Sequence, residues 1–222
     1  MKMKRGTAIV AALPRELSGL VEGWHVEELP DNLMVYSNGR SIAACAGMGA
    51  EQAARAVRAV LPTNPALIVS VGLAGACDGN LRAGDVVRAG VVIDEKTNER
   101  FVNLKYDRNL VSTDEIVNVD KKMRLRICFD AAAVDMEAAT VARMAKVAGV
   151  SFRAIKAISD EADFEIGELG KFVTEDGQFR EKRFALYASL RPAKWSKVVT
   201  LARNSSKAVT ALTEVLRSEL DL

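Results

Sequence analysis

AAAVDMEAATVARMAKVAGV, residues 131–150, reads as a strand running into a helix, with Gly149 where a helix stop belongs. The same alternation continues on both sides. SFRAIKAIS (151–159) follows at once as another strand. Upstream, ALIVSVG (66–72) and TAIVAA (7–12) are short continuous apolar runs, the mark of strands buried on both faces. VVRAGVVID (86–94) predicts a long strand and LVST (110–113) a further one. Residues 33–37 and 41–46 predict strands around an Asn38-Gly39 turn, a strong hairpin signal. Helices are predicted from Pro14 into RELSGLVEG, over AEQAARAVRAVLP to near Pro62, and from about 182 to 218 with Pro192 as a boundary. Strands alternating with helices predict a layered α/β fold with a mostly parallel or mixed central sheet.

Composition narrows the function before any motif does. The 222 residues suit one domain, 1–222, with 49% hydrophobic content for a core. Thirty-one basic side chains against 29 acidic ones give no global case for nucleic acid. The one histidine, His25, excludes a multi-histidine zinc site and makes a Ser-His-Asp hydrolase a poor fit. Cys45, Cys77 and Cys128 are odd in number, widely spaced and in small or apolar settings, so they are expected as reduced core cysteines. The N-terminal apolar run stops at Pro14 and Arg15, too short for a signal-peptide core, and no stretch approaches the ~20 apolar residues of a membrane span. A soluble, cytoplasmic protein is expected.

In open α/β sheets, ligands bind beyond the carboxyl ends of strands. Those ends carry Arg15 and Glu16, Gly47-Met48-Gly49, Leu73-Ala74-Gly75-Ala76, Asp135-Met136-Glu137, and Ser159-Asp160 with Asp163 beyond. Carboxylates and bare backbone suit binding sugar hydroxyls and moving protons. They do not suit a polyphosphate, and the glycines fit neither GxGxxG nor GxxxxGKS/T. Each group also has a plainer reading. Asp135 and Glu137 could serve a helix N-terminus through its dipole. Asp160 could be a turn or cap, and Glu16 a solvated helix residue. The glycine loop GLAGAC could simply turn the chain, and His25 suits a surface or packing role.

Taken in order, ALPREL (12–17), AGMGA (46–50), SVGLAGA (70–76) with LRAGDVV (81–87), VSTD (111–114), VDMEA (134–138) and AISDEAD (157–163) resemble the nucleoside phosphorylase and nucleosidase superfamily. The resemblance implies a three-layer α/β/α fold around a twisted mixed sheet, and cleavage of a nucleoside's N-glycosidic bond. That reaction passes through an oxocarbenium-like sugar, so the leaving base must be protonated and the sugar held. By resemblance, Asp160 matches the acid that protonates purine N7. Glu137 matches the carboxylate on the ribose hydroxyls and Met136 the residue packed against the sugar. Ile116 and Val117 fall where base-contacting residues lie, with Gly75 and Ser159 in the same pocket. Glu16 matches the carboxylate that orients or activates water. No metal or cofactor is implied, and phosphate is the alternative nucleophile.

The departures favour water. Phosphorolytic relatives place arginines and a serine around phosphate, whereas the matching positions here look like Glu16, Ser70 and Leu73, which cannot make bidentate phosphate contacts. Arg15 is offset by one residue. The C-terminal third is distinctive: Phe164, Phe172, Phe179, Phe184, Tyr187 and Trp195 lie among seven basic residues from Lys171 to Lys197. Segment 164–195 could be a lid with a solvated basic side. It could also be a surface that meets anionic lipid and admits a greasy substrate. FVTEDGQFR, LRPAKW and LARNSSKA resemble the hopanoid-associated branch, thought to release adenine from adenosylhopane. That branch implies a nucleoside with an apolar 5′ group and peripheral membrane contact; the superfamily implies a homo-oligomer. The competing expectations are a methylthioadenosine or adenosylhomocysteine nucleosidase, a purine nucleoside phosphorylase, and a nucleoside-binding protein without turnover.

Overall fold

The computed structural model describes residues 6–165 and 195–220, with side chains from 199 onward in the second stretch. In chain order the elements are β1 (Thr7–Ala11), α1 (Pro14–Leu17), β2 (His25–Leu29), β3 (Leu33–Ser37), β4 (Ile42–Cys45), α2 (Ala50–Val60), β5 (Leu67–Ala76), β6 (Val86–Asp94) and β7 (Arg100–Val102). Then come β8 (Arg108–Ser112), α3 (Val119–Phe129), β9 (Ala131–Asp135), α4 (Ala138–Val147), β10 (Ser151–Asp160) and α5 (Trp195–Glu219). The segment 164–195, expected as a lid, lies outside the described residues apart from its two ends.

The continuous apolar runs are explained by layers on both faces of the sheet. Ile9, Ala11, Val69, Val71, Ile155 and Ala157 point to one side, where Leu17 and the α5 residues Ala208, Leu212 and Leu216 cover them. Ala8, Val10, Ala44 and Ile68 point to the other, against Ala53, Ala56, Val57 and Val60 of α2 and Val141 and Ala145 of α4. Alternate residues of one strand therefore enter different cores, the period-two geometry of a strand buried on both faces. The result is the expected three-layer α/β/α arrangement around a mixed sheet.

The sheet's connectivity positions the site. β4, β1, β5 and β10 lie side by side and parallel. β6, β8 and β9 are parallel to one another and opposed to β10 and β5. One edge of β5 is divided. Its first residues pair with β1, from Thr7↔Leu67 to Val10↔Ser70, and its last two pair with β9, Gly75↔Val134 and Ala76↔Ala133. β10 occupies the other edge. Since β9 connects through β8 and β6 back to β10, these five strands close into a ring.

Several elements differ from the sequence expectation. GLAGA is not a loop: β5 runs on to Ala76, because β9 and β10 supply pairing partners on both sides. The helix from Pro14 ends at Leu17, and the chain goes on in turns. Gly19 there lies so close to α5 that a Cβ would sit 3.0 Å from Thr213, and Gly23 adopts φ 78°. β2, β7 and α3 are additional. α3 escapes pattern reading because its inward residues are Lys122 and Leu125, while Met123 and Ile127 face out. Asn118 caps it through Lys121 N–H at 2.9 Å. Cys45 and Cys77 are buried and burial pushes each thiol up to about 12. Cys128 is exposed on α3, correcting its assignment to the core. His25 is exposed on β2.

Leu212 is completely buried in the core between α5 and the sheet. Leu212→Ala is expected to lower unfolding free energy by about 2–5 kcal/mol, through lost burial and the cavity left behind. Denaturant titration measures it.

Candidate active site

The short β5–β9 overlap has a chemical consequence. Two strands running in opposite directions meet only at their carboxyl ends, so the residues that follow β9 arrive beside the end of β5. β10, parallel to β5, brings Asp160 level with Gly75 after a bulge between Ile158 and Asp160. The turn after β1 brings Glu16 against Leu73. A cavity of about 710 Å³ opens there. All eight residues singled out from the sequence line it: Glu16, Gly75, Ile116, Val117, Met136, Glu137, Ser159 and Asp160. Leu201, Ala202, Ser205, Ser206, Val209 and Thr210 of α5 form a further wall.

Glu16 is 4% exposed, so its reading as a solvated helix residue is replaced by a buried one. Its Oε2 accepts the N–H groups of Ala12 and Leu13 at 3.0 and 2.9 Å, and its Oε1 accepts Leu73 N–H at 3.0 Å. Gly72, at φ 135°, leaves room for it: a Cβ there would lie 3.0 Å from Oε1.

Asp135 and Glu137 have separate tasks. Asp135 serves the helix, accepting Ala138 N–H at 2.9 Å and the Ser112 hydroxyl at 2.5 Å, while Ser112 accepts Ala139 N–H. Glu137 makes no cap bond; its Oε1 accepts Gly49 N–H at 2.9 Å. Behind both stands Lys156, 1% exposed, at 2.9 Å from Asp135 and 3.7 Å from Glu137, with its third contact to Val71 O at 3.2 Å. Removal from water pushes the Glu137 carboxyl up to about 7, against the opposing pull of Lys156; Asp135 and Glu16 add to the rise. The facing carboxylates push the Lys156 ammonium up despite its burial.

On the opposite strand end, Asp160 Oδ1 accepts the Ser159 hydroxyl at 2.7 Å, and Lys122 Nζ donates to Oδ2 at 2.5 Å. A Cβ on Gly75 would lie 2.8 Å from Oδ2 and 3.2 Å from Lys122 Cε, so the absent side chain makes space for this pair. Lys122 lines the cavity and Lys156 stands behind Glu137; both are buried, and neither follows a strand end in the sequence. A lysine among apolar residues reads as a solvated surface group. Ser70 is fully buried within β5, its hydroxyl unpartnered among the described residues, and it does not reach the cavity. Arg15 reaches the cavity rim from an exposed position. Among the described residues no acidic, His or Cys group has the makings of a metal site, and no helix is long and apolar enough to cross a membrane.

The phosphorylase superfamily model matches residues 107–189, the stretch that carries Glu137 and Asp160. The chain has the phosphorylase-superfamily fold. The futalosine hydrolase of Helicobacter pylori superposes with a TM-score of 0.73 over 98% of both chains, at 17% identity. A methylthioadenosine/adenosylhomocysteine nucleosidase from the same organism, solved with a bound pyrrolidine inhibitor, gives 0.71 over 97% of both at 17% identity. The adenosylhomocysteine nucleosidase of Streptococcus pyogenes, in complex with 5-methylthiotubericidin, gives 0.70 at 18% identity, over 96% of this chain and 95% of that one. At these identities the likeness is one of fold. No curated protein matches the sequence.

Glu137 ties stability to pH. Its folded value lies near 7, above the ordinary 4.5, so the folded state holds an extra proton between them. Its contribution is fully present below about 4.5 and is lost as pH rises through about 7. The unfolding free energy of wild type minus that of Glu137→Gln is therefore expected to fall over this window. Denaturant titrations at pH 4.5 and 8 check the sign.

Proposed function

We propose that the protein cleaves the N-glycosidic bond of a 5′-modified adenosine and releases adenine. The observation that carries this reading is the meeting of three buried carboxylates, Glu16, Glu137 and Asp160, around one cavity of about 710 Å³. Each has a partner set suited to a different part of the reaction. Glu137, fixed at Oε1 by Gly49, turns its remaining acceptor capacity to the ribose hydroxyls. Asp160 passes a proton to purine N7, so that the base leaves neutral as the C1′–N9 bond breaks. Ile116, Val117 and Met136 supply apolar walls for base and sugar. Glu16, aligned by three backbone N–H groups, orients water on the other face of the sugar.

Water is favoured over phosphate as nucleophile. Among the described residues no arginine fork reaches the Glu16 side: Leu73 presents a backbone N–H, Ser70 is walled into the sheet, and Arg15 sits at the rim. The 5′ substituent in this reading is large and apolar, with adenosylhopane the leading substrate. Leu201, Ala202 and Val209 give the cavity an apolar side on α5, and the sequence resemblance of the C-terminal third points the same way. A methylthioadenosine/adenosylhomocysteine nucleosidase is the second reading, supported by likeness to such enzymes along nearly the whole chain.

Adenine release from adenosylhopane, methylthioadenosine and adenosylhomocysteine, each with and without phosphate, tests the proposal. Phosphate-independent release with preference for adenosylhopane is expected. Fast methylthioadenosine turnover favours the second reading, ribose 1-phosphate products overturn water as nucleophile, and nucleoside binding without any release overturns the enzyme. Asp160→Asn is expected to lower kcat by about 10²-fold or more.

A further inference from the structure

Lys122 is the least expected residue of the cavity. It comes from α3, whose exposed positions include Met123, Arg124 and Ile127, and its side chain is 1% exposed. Its ammonium is bonded to Asp160 Oδ2 at 2.5 Å, Glu161 O at 2.9 Å and Phe164 O at 3.4 Å. These three acceptors match the three N–H groups of an ammonium, leaving none for a ligand. Removing such a group from water costs several kcal/mol, and apolar side chains of similar volume in place of a whole buried ion pair are often neutral or stabilising. The arrangement thus calls for a reason beyond packing.

Hydrogen-bond accounting at Asp160 supplies one. The one hydrogen of the Ser159 hydroxyl has Asp160 Oδ1 at 2.7 Å and Ala74 O at 3.3 Å and goes to the nearer, Oδ1, while Oδ2 accepts from Lys122. With both oxygens accepting, the proton destined for the leaving base has to be passed to Asp160, and the nearest one is on Lys122 Nζ. We propose that Lys122 is a positioning residue that aims Asp160 and supplies the proton it delivers. The inference rests on the glycosidic-cleavage reading. In the step, an N–H bond of Lys122 breaks as an O–H bond forms at Asp160. Asp160 gives a proton to N7, and the C1′–N9 electron pair leaves with the base. Lys122, now a neutral amine, regains a proton from solvent, balanced by the proton that the attacking water releases.

The test compares two leaving groups. The adenine nucleoside that wild type cleaves needs a proton at N7; its 7-methylated analogue already carries the positive charge and departs without one. Lys122→Met is expected to lower kcat on the first by about 10²-fold, with KM little changed, and to stay within a few-fold of wild type on the second. Lys122→Arg keeps a cation and its donors, but a guanidinium does not give up a proton, so the same selective loss is expected. That variant decides the matter alone if the methionine variant does not fold. Recovery of normal kcat in Lys122→Arg, or equal effects of either variant on both substrates, overturns the inference. Wild type that releases no base from any 5′-modified adenosine overturns the cleavage reading itself.

Discussion

Lys156 sits at the end of three constraints at once. Its ammonium, buried between the sheet layers, contacts Asp135, Glu137 and the carbonyl of Val71. Asp135 in turn holds the first turn of α4 directly and through Ser112. Glu137, next along the chain, takes the N–H of Gly49 at the start of α2. A single cation thereby links β10, β5, β9 and the starts of two helices. Its burial is tolerable because two carboxylates surround it, and their burial is tolerable because of it; removing the lysine would leave both carboxylates without a counter-charge.

Lys156 sets the character of the cavity. Burial raises the Glu137 carboxyl to about 7 while Lys156, standing behind it, pulls the other way. Across the cavity, Lys122 and Asp160 form a second buried pair. The two pairs share β10, which supplies both Lys156 and Asp160, and the abbreviated β5–β9 pairing brings Glu137 beside the end of that strand pair. A longer overlap would carry the end of β9 past Gly75 and separate Glu137 from Asp160.

Much of this was legible in the chain. Continuous apolar runs identified β1 and β5, because burial on both faces removes any polar alternation. Asn38-Gly39 marked the β3–β4 turn, and Gly49 and Gly75 stood near the sites they shape. Other elements were silent. α3 hides its inward face behind a lysine, and β7 is three residues long. The Leu73–Ala76 stretch looked like a loop because alanine and glycine carry no strand signal; its pairing with β9 and β10 makes it a strand.

The sequence alone determined the order of strands and helices and the carboxylates that end them, since periodicity and strand termini are local properties. It also determined that no histidine cluster is available, since the chain has one histidine. Tertiary structure decided the rest. Only the strand pairing, the closed ring for Glu137 and Asp160 and β1 beside β5 for Glu16, brings the three carboxylates to one cavity, across separations that no local pattern records. Only packing turns Lys122 and Lys156 from ordinary basic residues into buried partners, because a lysine's charge state and role depend on what surrounds its nitrogen once water has been removed.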